Sequence, residues 1–349
     1  GKAAMEAIAD QSGLSITVLY PSEGVSQLQQ AQMQTQSGQN VDVLGIEGNF
    51  DDAQRTLKEA FTDDDLLLTL AENSKQLSSA NSINIARLLP QVVYYIDAYV
   101  RLVKNASIRP DERINVIVPS GNFGNILAAY LAKESGLPLN RLIVATNENK
   151  VLDDFIRTGV FSIHERSFHK THSPSMDILV PSNLERFLAL LYGTQQTKRW
   201  MKELVSTKSF ALTPEQHDRL QQTMVSYHAS NSETLDSIQD VFATDHYLID
   251  PHTACAHVAY TKDIQETQDS HFYLLVSTAN PFKFSEAYST LFALNEENPY
   301  LRLQELAAKT DTEVPAALRN LQTKPIRFTT VLKKEEIIPY LIQKVKTHD

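Results

Sequence analysis

The sequence has a single cysteine, Cys255, among 349 residues. An intrachain disulfide is therefore excluded, which fits a reducing compartment, and a lone cysteine in an apolar stretch is ordinarily a packing residue. There is no apolar run able to cross a bilayer: the most apolar long stretch, Leu88 to Val103, carries Pro90, Asp97 and Arg101. No secretory leader pattern is present. Positive charge is in deficit, with 32 Lys and Arg against 42 Asp and Glu and a net charge of -10. Such a chain has no general attraction to nucleic acid or anionic lipid, so an anionic ligand must be held by a local site. No Lys/Arg run is dense enough for a nucleic-acid stripe, and there are no internal repeats or low-complexity tracts. These absences predict a cytoplasmic protein acting on a small molecule, with no nucleic-acid or membrane partner. They do not fix an oligomeric state.

What is present supports a sizeable core, with 42% hydrophobic residues. The length suggests two domains at roughly 150 residues each. Short β-branched runs, Ser15 to Tyr20 and Val41 to Ile46, alternate with helix-prone segments. That is the rhythm of an α/β protein with open parallel sheets. Residues 62–82 read as an irregular connection and 83–103 as one long helix, kinked at Pro90. Asn115 to Pro119 and Leu142 to Thr146 read as buried strands, 159–182 as loop, 213–230 as a polar helix and Tyr273 to Ser277 as a late strand. The C-terminal end reads as a strand and a short helix. The expected seam near 75–85 gives a smaller α/β domain over 1–80 and a larger ligand-binding domain over 81–349.

The strongest local feature is Val116 to Asn125, VIVPSGNFGN. A buried strand runs into a Gly-Asn-Phe-Gly-Asn turn that opens a helix. Glycines let the backbone approach a ligand closely, and amides at a helix N-terminus attract an anion. Asn122 and Asn125 add side-chain amides. Gly121, Asn122, Phe123, Gly124 and Asn125 are thus a candidate phosphate cradle. The pattern equally describes a tight turn that binds nothing.

These residues, with LIVATNEN after them, resemble the central motif of threonine synthases, fold-type II pyridoxal-phosphate enzymes. Other segments match in order. Gly24-Val25-Ser26 with Gln32-Met33, Glu47-Gly48-Asn49-Phe50-Asp51-Asp52, and Asn81-Ser82-Ile83-Asn84 with Ala86-Arg87 resemble family segments. So do Ser173-Pro174-Ser175-Met176-Asp177 with Ser182-Asn183, Asp250-Pro251-His252-Thr253-Ala254, and Ser277-Thr278-Ala279-Asn280-Pro281 with Lys283-Phe284. Asn280 stands where the family has histidine. No motif is placed in the C-terminal stretch beyond these.

The resemblance implies two domains of open twisted sheets, tryptophan synthase β-like, with pyridoxal 5'-phosphate between them. It implies that residues 121–125 hold the cofactor phosphate and that Ser277 or, preferably, Thr278 faces the pyridine nitrogen. The implied reaction converts O-phospho-L-homoserine and water into L-threonine and phosphate. The family's Schiff-base lysine, in a Phe-Lys-Asp context followed by Ser-Gly-Asp-Thr-Gly, is absent from this chain; Gly1-Lys2-Ala3-Ala4 resembles the tail of that loop. An upstream segment is therefore expected, and this chain alone is expected to be inactive. Two rivals stay open: a non-catalytic phosphometabolite- or cofactor-binding protein on the same scaffold, and a related lyase acting on phosphoserine.

Four further residues are substrate-contact candidates. Ser82 and Asn84 could equally be helix caps, Arg87 an ion-pair partner, and His252 a cap opening its helix. His164, His169 and His172 have no metal-ligand spacing, so no metal is expected. Asp51 and Asp52 at a helix start suit the helix dipole better than acid/base work.

Overall fold

The aliphatic and β-branched runs become strands, in chain order β1 (Ile16–Pro21), β2 (Val41–Ile46), β3 (Ile114–Pro119), β4 (Leu139–Thr146), β5 (Val160–Ser162), β6 (Ser209–Ala211), β7 (Met224–His228), β8 (Phe272–Leu275) and β9 (Val331–Leu332). The computed structural model describes residues 2–22, 25–48, 50–81 and 84–347, without the side chains of Phe50 and Asp51. Contacts divide the chain into two units, 1–81 with 294–349, and 82–293.

The first unit is built on a parallel sheet in the order β1-β2-β9. The expected larger domain runs to residue 349, whereas 294–349 group with 1–81. Strand pairing accounts for this, since Gly45 and Ile46 of β2 pair with Val331 and Leu332 of β9. Gly45 lacks the side chain whose Cβ would lie 3.0 Å from Val331. The helix Lys334–Thr347 then packs Ile338, Leu341 and Ile342 against Leu66 and Leu70. Those two leucines lie on the helix Asp64–Glu72, capped by Asp63, in a segment expected to be irregular. Asp52 Oδ1 accepts from Lys334 Nζ at 2.6 Å, which suits a structural acid rather than a catalytic one.

The second unit carries a four-stranded parallel sheet in the order β7-β4-β3-β8 and a small antiparallel pair, β5 with β6. β3 is buried along its length, as parallel strands covered on both faces must be. Period-two alternation sends Val116 and Val118 to one core, with Ile126 and Leu127 of the helix Gly124–Glu134. Ile117 and Ile143 face the other, with Ala256 and Ala259 of the helix Pro251–Thr267.

Three further expectations change. The single helix over 83–103 is Ile85–Leu88, a 3-10 turn at Leu89–Gln91, and Val92–Lys104. Pro90 has no N–H to continue the ladder. The helix over 213–230 is helical only over Pro214–Thr223, and Met224–His228 becomes β7. The open edge of β4 takes this run as a parallel strand, so tertiary pairing overrides local propensity. Within 159–182, Val160–Ser162 forms β5 and Pro174–Met176 a 3-10 turn.

Candidate functional site

The turn after β3 determines the site. Ser120 still donates its amide to Ala145 of β4 (2.8 Å), which ends the ladder. Phe123, the residue before the helix Gly124–Glu134, sits in the left-handed region at φ 61°. That conformation costs a non-glycine residue energy. It is held because the ring is buried against Phe187, with centroids 5.3 Å apart. Leu127 is the first residue of this helix whose amide donates back, to Phe123 (3.2 Å). The amides of Gly121, Phe123, Gly124 and Asn125 donate to no acceptor among the described residues. Open amides at a helix N-terminus form an anion site by their partial charge alone.

The pocket they line has a volume of about 210 Å³ and also includes Arg87, Gln91, Asn122, Ser175 and Asn183. Among the described residues no carboxylate lines it and one arginine does, the local inversion of charge that an acidic protein needs to hold a phosphate ester. Asn122 is committed on one side: its carbonyl accepts from Asn183 N (3.1 Å) and Asn183 Nδ2 (3.0 Å), and its Oδ1 accepts from Ser182 N (3.3 Å). Asn125 Oδ1 accepts from the Tyr95 hydroxyl, which leaves its amide N–H groups as donors. Burial raises Tyr95 well above the ordinary phenol value, so it remains a proton donor.

One wall of the pocket is Ser175, carried by the segment 171–178. A Cβ on Gly121 would lie 2.5 Å from the Ser175 carbonyl, so glycine is required here by close approach. The segment is fixed by amides at the end of β4. Asn147 Nδ2 donates to Asp177 Oδ1 (2.8 Å) and Thr171 Oγ1 (2.8 Å), and Asn149 Nδ2 to Asp177 Oδ1 (3.1 Å).

Ser277 and Thr278 follow β8. Ile117 pairs with Leu275, and Val276 N donates to Ile117 O (3.0 Å). Further along the two chains stand Ser120 and Thr278, at the same C-terminal edge of neighbouring strands about 4.8 Å apart. Ligands of parallel sheets sit at that edge. Both Ser277 and Thr278 are exposed. Thr278 N donates to Thr253 Oγ1 (3.4 Å), and the Thr253 hydroxyl donates to Asp250.

Of the four substrate-contact candidates, Arg87 lines the pocket. Asn84 Oδ1 caps the helix Ile85–Leu88 by accepting from Ala86 N (2.9 Å). Ser82 lies outside the described residues. His252 is buried, with Nδ1 against Asp250 Oδ1 (2.7 Å) and Nε2 accepting from Ser175 N (3.1 Å). Its two nitrogens are thus both engaged within the protein, and it does not line the pocket. Sequence reasoning missed Tyr95, Gln91, Ser175 and Asn183 as site residues. Ser175 and Asn183 stood inside quoted motifs, whereas Tyr95 carried only a helical apolar signal. Among the described residues no group of three or more His, Cys, Asp or Glu is placed to hold a metal, and no helix is long and apolar enough to cross a membrane.

A parallel α/β unit with an amide cradle after its central strand is the scaffold of the fold-type II pyridoxal-phosphate class. No family model matches the chain. Threonine synthase of Schizosaccharomyces pombe is 35% identical over 322 residues, covering 86% of this chain and 61% of that protein. Threonine synthase-like 1 of Macaca fascicularis is 40% identical over 294 residues, 83% of this chain and 39% of that protein. The crystal structure of PLP-bound threonine synthase from Brucella melitensis superposes with a TM-score of 0.81 at 32% identity, covering 99% of this chain and 68% of that one. The chain belongs to the threonine synthase family. It spans 61% of the Schizosaccharomyces pombe protein's length, and less of the Macaca fascicularis protein's.

Proposed function

We propose that this chain is the cofactor-phosphate-binding part of a threonine synthase that converts O-phospho-L-homoserine and water into L-threonine and phosphate. The observation that carries the reading is the set of open amides of Gly121, Phe123, Gly124 and Asn125, at a pocket lined, among the described residues, by one arginine and no acid. Pyridoxal 5'-phosphate, when bound, supplies the electron sink for proton removal from carbons next to the amino group.

The chain's own residues bind and orient. The amides of Gly121, Phe123, Gly124 and Asn125, with the side chains of Asn122 and Asn125, hold the cofactor's phosphate dianion. The Thr278 hydroxyl, with Ser277 beside it, faces the ring nitrogen as a neutral partner and leaves that nitrogen less positive than a carboxylate would. Arg87 binds the substrate phosphate, helped by Ser82 and Asn84. A place in threonine biosynthesis and a cytoplasmic location follow from the same reading, the latter supported by the single cysteine.

The lysine of the Phe-Lys-Asp motif is not among the 349 residues. This chain alone is therefore expected to bind pyridoxal phosphate reversibly and to release no phosphate from O-phospho-L-homoserine. The protein encoded by the whole gene is expected to release it, and to leave phosphoserine intact. Turnover by this chain alone, a borohydride-fixed cofactor on any of its lysines, or a preference for phosphoserine would overturn the assignment.

A further inference from the structure

The imidazole of His252 is engaged on both sides by the protein. Asp250 is buried, which works to raise its carboxyl, but the hydrogen bonds from His252 and Thr253 outweigh burial and hold it below the ordinary carboxylate value. An ionised carboxylate has no proton to give, so the proton between Asp250 Oδ1 and His252 Nδ1 (2.7 Å) sits on the histidine. Nε2 is then a lone pair, and it accepts the Ser175 amide at 3.1 Å. The ring packs on Phe284, centroids 4.8 Å apart, and His252 is 3% exposed. The Ser175 backbone is therefore tied at its amide and closely approached at its carbonyl. Its N–H is tied to His252, and its carbonyl oxygen lies 2.5 Å from where a Cβ of Gly121 would be. The second carboxylate oxygen of Asp250 accepts from Thr253, whose oxygen accepts the Thr278 amide.

We propose that His252 is a positioning residue that, braced by Asp250, sets the wall of the phosphate cradle through the Ser175 peptide. The proposal rests on the reading of 121–125 as that cradle. The cradle depends on donors placed to within a fraction of an ångström, and its tightest approach is between Gly121 and Ser175. Releasing the Ser175 amide removes a part-buried hydrogen bond whose histidine side is buried, and lets the wall relax away from the loop. His252 does this without touching the anion.

The test uses this chain, inorganic phosphate as the probe, and two readouts: calorimetric phosphate affinity and hydrogen exchange at the Ser175 amide. His252→Leu is expected to speed exchange at Ser175 and weaken phosphate about tenfold, the loss of one part-buried hydrogen bond. His252→Gln, whose amide donates to Asp250 and accepts from Ser175, is expected to stay within about threefold of wild type in both. If His252→Leu does not fold, His252→Asn, too short to span both partners, takes its place. Ile238→Ala, a cavity in the buried face of the helix Asn231–Asp245, is expected to lower Tm while leaving phosphate affinity unchanged. Unchanged Ser175 exchange or unchanged affinity in the leucine variant overturns the proposal. So does a glutamine variant as weak as leucine, or an equal affinity loss in Ile238→Ala. A wild-type chain that binds no phosphate overturns the cradle reading itself, and the exchange data then show separately whether the tether exists.

Discussion

Gly121 and Ser175 approach so closely that a methyl group on Gly121 would stand 2.5 Å from the Ser175 carbonyl oxygen. Backbone meets backbone there, so no flexible side chain can yield. Gly121→Ala is expected to cost roughly 1–3 kcal/mol, as overpacking does, and to abolish phosphate binding. Gly124 is a control in the same loop, since its Cβ would meet Asn183 Nδ2 at an ordinary 3.4 Å. Gly124→Ala is expected to leave Tm nearly unchanged. Equal Tm values for the two variants would remove the steric argument.

The Tyr95 hydroxyl donates to the Asn125 carbonyl (3.2 Å) as well as to its side chain. Tyr95→Phe keeps the packing and removes the donor. The expected cost is about 1 kcal/mol of stability with a several-fold rise in the phosphate dissociation constant, because the Asn125 amide loses its orientation. A variant with wild-type phosphate affinity would show that Asn125 is oriented by something else.

Asn147 joins three partners on the segment that carries Ser175: Thr171, Ser173 and Asp177. Asn147→Ala leaves a partly buried carboxylate short of a donor and is expected to destabilise by roughly 1–3 kcal/mol in urea unfolding. The same variant should expose 171–178 to proteolysis before the rest of the chain. Global unfolding without local cleavage would contradict this.

Cys255 is fully buried, and burial pushes its thiol up to about 11. A group whose folded value is raised contributes stability that is intact below its unfolded value, about 8.5 for a thiol. That stability is lost as pH rises toward the folded value. Between about pH 9 and 11 the stability of the wild type relative to Cys255→Ala should fall by roughly 1.4 kcal/mol per pH unit. Denaturant unfolding of both at pH 7.5, 9 and 10 measures it, and a constant difference would contradict burial of the thiol.

Much of the site is legible in the sequence because its signals are local. The run VIVP is apolar enough to be a strand buried on both faces, and the following glycines and asparagines announce a backbone turn with open amides. β7 is not legible, since Met224–His228 continues a polar helical pattern and becomes a strand only when β4 offers it an edge. Tyr95 likewise reads as core, and its hydroxyl acquires a role only where the helix Val92–Lys104 meets Asn125.

The parallel α/β class, the phosphate-cradle turn and the motif order that marks the family can all be read before folding, because each is written in contiguous residues. Three other relations exist only in the folded chain: 294–349 groups with 1–81, Ser175 walls the cradle, and His252 faces Ser175 rather than the pocket. They join residues far apart in the chain through strand pairing, single hydrogen bonds and van der Waals contacts. Such contacts leave no period or spacing in a linear sequence.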